Sequence, residues 1–267
     1  MKLKRKFVEK PWGQEILPDI FGAVNGKKIG EIWFEAPKAI TLQLMTKYLF
    51  TSEKLSIQVH PNDRQARRLG LPHGKAECWY ILDAKPDAVL GLGLKKPVSA
   101  TKLRTAAILG EIEQLIEWKP AKKGDFYYVP PGTIHAIGPG ISAVEIQQNI
   151  DVTYRIYDYG RPRGLHLEEA MAAVKLSPYD PKYNPEIPTD ESSRIPAGSA
   201  FELFQIVGTD DEILPQTGSK EWQVIPLEGS ANVRGKLIKA GECGICPQSS
   251  DIDFSKNKKS LVACIMP

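Results

Sequence analysis

The sequence predicts a mainly β protein with a small helical part. Short apolar runs separated by turns recur along most of the 267 residues, as expected for strands. Apolar residues recur at helical spacing in two stretches, about 99–118 and 166–176. The composition, 42% hydrophobic and 25% charged, is typical of a folded globular chain with one large domain or two small ones.

The first half of the chain is expected to contain strands interrupted by one helical insertion. Ser99 precedes the apolar residues of this insertion and is a candidate helix cap. The insertion is predicted to hold one or two helices. The predicted elements, in chain order, are strands at 31–37, 39–50 and 55–60, helices within 99–118, and strands at 125–129 and 142–148.

The second half of the chain begins with a predicted helix at 166–176, with His166 at its start on the surface. The segment that follows carries five prolines and mixed charges, which is typical of a linker or a surface loop. Strand-like runs then resume, and no histidine follows His166. We therefore expect three regions, a first domain at 1–176, a linker at 177–198 and a second β domain at 199–267.

Charge and hydropathy limit the partners that we expect. The 35 Lys and Arg residues are interspersed with 32 Asp and Glu residues, for a net charge of +3. This balance predicts neither a nucleic-acid partner nor a membrane partner. The basic start MKLKRKF is not followed by an apolar run of signal-peptide or transmembrane length, which predicts a cytoplasmic protein. The sequence indicates no oligomeric state.

The four cysteines are too few for a disulfide scaffold and fit a reducing compartment. Cys243 and Cys246 form a CxxC motif, but no second pair or nearby histidine completes a zinc site. We interpret the motif as incidental, with a redox or metal role as the less favoured alternative.

Four potential metal ligands lie on strand-like sequence. Gln58 and His60 are two residues apart, so both side chains point to one face of a strand. Glu77 and His135 come from two other segments. Two imidazoles, one carboxylate and one amide oxygen suit zinc, manganese, iron or cobalt, and the set is too rich in nitrogen for calcium. For either histidine alone, an ordinary hydrogen-bonded role would be the alternative.

The segment around His135 resembles the second signature of the cupin barrel, a jelly roll whose turn aims a histidine inward. The resemblance lies in the spacing of four residues, Gly124, Pro130, Gly132 and His135. In the first cupin signature, two histidines one residue apart usually precede a glutamate. Gln58 stands where the first of those histidines would be.

Four segments carry a wider resemblance: LSIQVHPND, GKAECWYI, GDFYYVPPGTIHAIG and DVTYRIYDYGR. Together they resemble the type I mannose-6-phosphate isomerases, a zinc-dependent cupin family, and its shorter bacterial branch in particular. The likeness extends from about Lys10 to about Lys175. The large helical domain of the long eukaryotic members is missing from this chain.

This resemblance implies a metal-binding cupin domain with the small helical insertion, followed by a degenerate, shortened cupin-like β domain that lacks a metal site. It implies one divalent ion, zinc, and a hexose 6-phosphate substrate. The implied reaction interconverts mannose 6-phosphate and fructose 6-phosphate through a cis-enediol. Such a reaction needs a base, an electrophile for the enediolate oxygen and a phosphate anchor.

The resemblance also implies candidate catalytic residues. Arg155 matches the active-site arginine of the family and would stabilise charge on the enediolate, although a surface salt bridge is the alternative. Asp151 matches an acidic position and Lys75 a lysine near the ligand glutamate. Glu145 matches an inward-facing glutamate that can act as a base or form a buried ion pair, for which Arg155 is a candidate partner. The base remains open among Glu145, Asp151 and a water held by the ion.

Candidate substrate-binding residues follow from the same comparison. Ser56 precedes Gln58 by two and faces the same side. Lys47 matches a family lysine near the phosphate, and Arg161 falls where the family has a lysine. A solvated surface position is the alternative for these three residues and for Lys75.

Two other functions compete with the isomerase. One is an iron-dependent cupin dioxygenase, which Gln58 disfavours because such oxygenases usually keep a histidine-rich ligand set. The other is a non-catalytic cupin that binds a sugar phosphate. Arg155 and Asp151 argue against this bare binding module, because binding alone needs neither a charge stabiliser nor a base.

Overall fold

The computed structural model describes residues 1–215 and 218–265, so residues 216, 217, 266 and 267 of the expected second domain lie outside the described part. Strands dominate it, as the sequence predicted. Within these ranges, no helix has the length and apolar character needed to cross a lipid bilayer.

Eleven strands and three helices precede residue 177. In chain order they are β1 Lys4–Gln14, β2 Ile29–Glu35, β3 Leu44–Phe50, β4 Ile57–Val59, α1 Asp63–Arg68, β5 Glu77–Ala84, β6 Val89–Leu94, α2 Ala100–Leu109, β7 Ile116–Pro120, β8 Phe126–Val129, β9 His135–Ile137, β10 Ile141–Gln148, β11 Tyr154–Tyr157 and α3 Leu167–Ala173.

Seven strands follow in the rest of the described chain. They are β12 Ser193–Ile195, β13 Phe201–Val207, β14 Trp222–Val233, β15 Lys236–Lys239, β16 Gly244–Cys246, β17 Ile252–Asp253 and β18 Asn257–Ile265.

The strands form three antiparallel sheets. The first has the order β1-β2-β3-β10-β5-β8 and the second the order β11-β4-β9-β6-β7. Apolar side chains of both fill one core, for example Trp79 and Ile81 of the first with Leu90 and Leu92 of the second. The two sheets therefore face each other as the layers of a jelly roll.

The third sheet packs on the outer face of the first. Its order is β12-β13-β18-β14-β15, with β16 and β17 also paired to β14. Val144 and Ile146 of β10 share a core with Leu203 and Leu261 of the third sheet. All eight residues of β10 are buried, because this central strand has packed neighbours on both faces.

Buried polar contacts also join the third sheet to β3. Glu221 accepts hydrogen bonds from the backbone amides of Gln43 and Leu44, at 2.7 and 2.9 Å. Thr46 Oγ1 donates to Gln223 Oε1 at 2.7 Å, and Gln223 Nε2 donates to the Leu44 carbonyl oxygen at 2.9 Å. The third sheet thus holds the strand that carries Lys47.

The helical insertion packs against the second sheet. Ser99 caps α2 by accepting from the Lys102 amide at 3.1 Å, as predicted, and Gly110 ends the helix with a left-handed φ of 74°. A 3₁₀ turn at Ile112–Gln114 follows, after which the chain enters β7 and not a second helix. Leu103 and Ala106 of α2 share a core with the apolar residues of β4 and β11.

Candidate metal centre and its cavity

Strand register brings the predicted ligands together from distant segments. Gln58 of β4 lies opposite His135 of β9, although 77 residues separate them. His60 directly follows β4. In the facing sheet, Glu77 of β5 lies opposite Gln147 of β10. The two sheets therefore contribute ligands from opposite walls of the jelly roll.

The turn before His135 has the geometry that the signature predicted. Gly132 adopts a left-handed φ of 87°, which glycine accommodates without steric cost. Its amide donates to the His60 carbonyl oxygen at 2.9 Å, so the turn is tied to the other ligand segment. A Cβ atom at Gly132 would lie 3.0 Å from the Ala173 carbonyl oxygen, which leaves little room for any other residue.

His60, Glu77 and His135 form a compact and buried group. His60 Nε2 lies 3.2 Å from Glu77 Oε2, and His135 Nε2 lies 3.2 Å from Glu77 Oε1. The ligand atoms all lie within 4.8 Å of one another, and each residue is at most 2% exposed. In residues 1–215 and 218–265, no other group of three His, Cys, Asp or Glu residues is placed to hold a metal ion.

Hydrogen bonds fix both imidazoles in the orientation that a metal requires. His60 Nδ1 lies 2.9 Å from the Val152 carbonyl oxygen, and His135 Nδ1 lies 2.8 Å from the Thr133 carbonyl oxygen. A carbonyl oxygen only accepts, so each Nδ1 carries the proton and each neutral Nε2 presents a lone pair to Glu77. Glu77 Oε2 accepts no hydrogen bond from the described residues. Three electron-pair donors converge, and this arrangement fits a divalent ion.

The protonation states of the group also suit metal binding. Burial and the nearby Lys75 ammonium lower the pKa of His60 to about 3, so its imidazole is neutral near pH 7. Burial alone would raise the pKa of Glu77, but the nearby Lys75 ammonium outweighs it and holds that pKa well below its usual range. Neutral imidazoles and an ionised carboxylate are the forms that bind a metal.

Gln58 lies at the edge of this group. Its Nε2 is 3.2 Å from His135 Nε2, and its Oε1 accepts a hydrogen bond from Ser56 Oγ at 3.2 Å. A half-turn of the amide exchanges its oxygen and nitrogen, and the serine hydroxyl can then accept in place of donating. Gln58 can thus offer an oxygen to an ion without losing its contact to Ser56.

A cavity of about 450 Å³ opens beside the buried group. Gln58 and Lys75 line this cavity, and each also contacts the buried group, Gln58 at His135 and Lys75 at Glu77. Seven of the residues that the sequence predicted for the site line this cavity: Lys47, Ser56, Gln58, Lys75, Glu145, Asp151 and Arg155.

A buried ion pair crosses the cavity wall between β3 and β10. Lys47 Nζ lies 2.9 Å from Glu145 Oε1. Burial raises the pKa of Glu145, although Lys47 opposes this shift. Burial would lower the pKa of Lys47, but Glu145 and Glu31 outweigh it and the pKa is raised. Glu145 therefore pairs with Lys47, and the expectation that its partner would be Arg155 is wrong.

Arg155 is held at the cavity without a carboxylate partner among the described residues. It lies on β11 opposite Gln58. Its Nε donates to the Gly164 carbonyl oxygen at 3.1 Å, and its backbone amide donates to His166 Nδ1 at 3.2 Å. The surface salt bridge that was the alternative for Arg155 does not occur in this part of the chain. Asp151 lies in the exposed loop that precedes β11.

Arg161 does not line the cavity. Its guanidinium pairs with Asp158 at 3.2 Å and with Glu53 at 3.0 Å. Arg163, two residues later, lines the cavity and pairs with Asp158 at 2.6 Å. Arg161 thus forms ion pairs outside the cavity, and sequence spacing could not distinguish the two arginines of this turn.

Several cavity residues were missed by the sequence analysis. Glu31 and Trp33 alternate on β2, and both line the cavity together with Lys10. Burial would raise the pKa of Glu31, but Lys47 and Lys10 outweigh it and lower that pKa. A buried charge at an inward position of an apolar strand was the available signal. His166 also lines the cavity and is not a surface residue as expected.

Fold and site together define a class of protein. Facing antiparallel sheets form a jelly roll, and its interior holds two histidines and a glutamate beside an open cavity. This is a metal-binding cupin.

Comparisons with known proteins assign the family. The chain is 35% identical over 212 residues to mannose-6-phosphate isomerase ManA of Bacillus subtilis, a match that covers 65% of this chain and 67% of the relative. It is 34% identical over 225 residues to the probable mannose-6-phosphate isomerase GmuF of the same species, covering 69% and 71%. The crystal structure of the mannose 6-phosphate isomerase from Bacillus subtilis matches with a TM-score of 0.76 at 28% identity, over 99% of both chains. No protein-family model matches the chain.

The chain belongs to the mannose-6-phosphate isomerase family. The resemblance predicted from the four sequence segments is therefore confirmed, and so is the mainly β cupin fold.

Proposed function

We propose that this protein interconverts mannose 6-phosphate and fructose 6-phosphate with one divalent ion, zinc, held by Gln58, His60, Glu77 and His135. Two imidazole nitrogens with carboxylate and amide oxygens favour zinc over calcium or magnesium. When bound, the ion supplies polarisation of the oxygens at C1 and C2 of the sugar. Arg155 is the observation that carries the proposal, because it lines the cavity without a carboxylate partner among the described residues and is paired on β11 with Gln58 of β4.

Glu145 is the residue that we assign to proton transfer. In the aldose-to-ketose direction, a base removes the C2 proton and returns it to C1, while the C1 oxygen gains a proton and the C2 oxygen loses one. Burial raises the pKa of Glu145, which makes its carboxylate a stronger base than an exposed one. Lys47, 2.9 Å away, holds this carboxylate in place. Asp151 is the second candidate for the base, at the exposed rim.

We assign Arg155 and Lys75 to the sugar oxygens, where they stabilise negative charge and exchange protons. The Arg155 guanidinium would stabilise the negative charge of the cis-enediolate. Lys75 Nζ lies 3.3 Å from Glu77 Oε2 and 3.4 Å from His60 Nε2. At this position it can exchange a proton with the sugar oxygens.

The 6-phosphate requires positive charge and hydroxyl donors farther along the cavity. Lys10, Lys47 and Arg163 supply the charge on the wall, and Ser56 supplies a hydroxyl. Arg163 thus takes the substrate-binding role that was predicted for Arg161. The cavity volume of about 450 Å³ accommodates a molecule of this size.

A coupled assay tests this function. Purified protein of known metal content is given mannose 6-phosphate, and fructose 6-phosphate is measured. We expect turnover that a chelator removes and that zinc restores. No turnover by protein that holds its metal would contradict the proposal.

Arg155→Ala tests the catalytic assignment. Loss of a group that meets transition-state charge should lower kcat by about a hundredfold or more while metal content stays unchanged. Arg194→Ala is the matched control, because its exposed pair with Glu202 lies on the third sheet and its loss should leave turnover near wild type. If Arg155→Ala keeps turnover within a few fold of wild type, Arg155 has only a structural role.

A further inference from the structure

Gln147 is a residue of the cavity lining whose side-chain oxygen has no hydrogen-bond partner among the described residues. The residue is 2% exposed and lines the cavity. Its Nε2 donates to the carbonyl oxygens of Gln148 and Ile150, at 3.1 and 3.4 Å. Its Oε1 has no hydrogen-bond partner among the described residues.

The amide orientation of Gln147 is determined by these contacts. Both partners of Nε2 are carbonyl oxygens, which cannot donate, so the nitrogen must face them and the oxygen must face away. Buried polar atoms are almost always hydrogen-bonded, because an unpaired one costs about as much as a lost hydrogen bond. An unpaired acceptor on a cavity wall therefore indicates a donor on the ligand.

The position of Gln147 identifies which part of the ligand it meets. It lies directly opposite Glu77 across β10 and β5, so the two side chains are neighbours on one face of the sheet. A sugar whose C1 and C2 oxygens approach an ion at Glu77 presents its next oxygen, the hydroxyl on C3, to the adjacent position. Met45, the opposite neighbour of Gln147 on β3, has no group that donates a hydrogen bond.

We propose that Gln147 Oε1 accepts a hydrogen bond from the C3 hydroxyl of the hexose 6-phosphate and so selects sugars that carry it. This inference rests on the proposed function and deepens it, because it assigns a specificity-determining residue. Carbons C1 and C2 react, so the C3 hydroxyl is the first fixed feature of the sugar that the protein can recognise.

The charge of the surroundings explains why an amide suits this position. Glu145 lies two residues earlier on the same face of β10, and Glu77 lies opposite. A carboxylate at position 147 would add a third negative charge to this wall, and like charges close together in a buried site repel. The amide oxygen accepts a hydrogen bond without that repulsion.

A cycle of protein and substrate changes tests the contact. We would measure kcat/KM for mannose 6-phosphate and its 3-deoxy analogue, with wild type and with Gln147→Met, which is similar in size but has no strong acceptor. In wild type, the missing hydroxyl should cost about tenfold to a hundredfold, the scale of leaving a buried acceptor unpaired. In Gln147→Met the two substrates should differ by less than about threefold, because the hydroxyl has no partner there.

The ratio of kcat/KM for mannose 6-phosphate to kcat/KM for its 3-deoxy analogue does not depend on how much of the variant is folded. Met45→Leu is the matched control, because it alters the same row of the wall without changing its hydrogen bonds and should keep the wild-type ratio. Equal ratios in wild type and Gln147→Met would overturn the inference.

Calorimetric dissociation constants for fructose 6-phosphate and its 3-deoxy analogue repeat the cycle without catalysis. Wild type is again expected to prefer the sugar with the hydroxyl, and Gln147→Met to lose that preference. Absence of turnover by wild type would reject the proposed function alone, whereas an unchanged binding preference in Gln147→Met would reject the role of Gln147.

Discussion

Glu77 in the jelly roll and Glu221 in the third sheet are both buried carboxylates, yet their surroundings differ. Glu221 accepts from two backbone amides and from the Gln223 side chain, so its oxygens are satisfied within the protein. Glu77 faces two imidazole nitrogens that present lone pairs, and its Oε2 accepts no hydrogen bond from the described residues. Both carboxylates are buried and charged. The ligand site differs from the structural contact because electron-pair donors converge on Glu77, whereas hydrogen-bond donors surround Glu221.

Some other polar residues of the two regions differ in a similar way. In the third sheet, Ser260 Oγ donates to Asn257 Oδ1, and Asn257 Nδ2 donates to the carbonyl oxygens of Ile206 and Gly208. These groups fix the sheet internally. In the jelly roll, Gln147 Oε1 lacks a donor among the described residues, and Gln147 is one of the residues that line the cavity. We therefore expect substitutions to change ligand binding in the first region and stability in the second.

The largest effect is expected at a metal ligand. His135→Ala removes an imidazole from the centre of the group and should lose most of the bound metal, and turnover with it. Gln58→Ala should retain more metal, because a neutral amide oxygen is a weaker donor than an imidazole or a carboxylate. Elemental analysis of the purified proteins measures both. Equal metal content in wild type and His135→Ala would refute this site.

A smaller effect, on stability, is expected in the third sheet. Glu221→Ala leaves two backbone amides without an acceptor and removes one of the two acceptors of Gln223 Nε2, which should lower the free energy of unfolding by about 3 kcal/mol. Exposed Glu228, on the strand β14 that follows Glu221, is the control, and Glu228→Ala should change the free energy of unfolding by less than about 0.5 kcal/mol. Urea unfolding monitored by tryptophan fluorescence measures both. If Glu221→Ala instead loses metal while its stability is unchanged, the assignment of ligand binding to the jelly roll and of stability to the third sheet is wrong.

The smallest effect on activity is expected from the cysteine pair. Cys243 belongs to the core shared with the first sheet, and Cys246 to the core on the other side of the third sheet. Burial raises the pKa of both thiols, that of Cys246 to about 12, which disfavours the thiolate that binds metal. The double substitution Cys243→Ser and Cys246→Ser should lower Tm by a few degrees through the buried hydroxyls. Turnover and metal content should stay near wild type, and loss of about one metal equivalent would show a second site.

Sequence alone predicted the parts of the site that depend on local spacing. Gln58 and His60 share a strand face, and the Pro130–Gly132 turn directs His135, so each local pattern indicated its own ligand. Site residues whose position depends on contacts between distant segments were harder to predict from the sequence. Arg161 pairs with Glu53, which is more than 100 residues away in the chain, whereas Arg163 lines the cavity, and local spacing does not distinguish these two positions.

The contacts of the third sheet were beyond the sequence analysis. A strand-like run predicted β14, but nothing local indicates that Glu221 caps the backbone amides before β3. Likewise, His166 reaches the cavity because its ring accepts from the Arg155 amide, a contact between residues on different elements. Such partners follow from the packing of whole sheets and not from periodicity.

The strand order has a consequence for the way this protein acquires its metal during synthesis. β10 lies between β3 and β5, and β9 lies between β4 and β6, although each follows both of its neighbours in the chain. A ribosome therefore releases β3, β4 and β5 well before the strands that join them, and such distant pairing folds slowly. The nascent chain must keep His60 and Glu77 available until His135 arrives. Binding of the ion thus reports the insertion of β9 and β10 between their neighbours. A metal-sensitive dye would record when that insertion occurs.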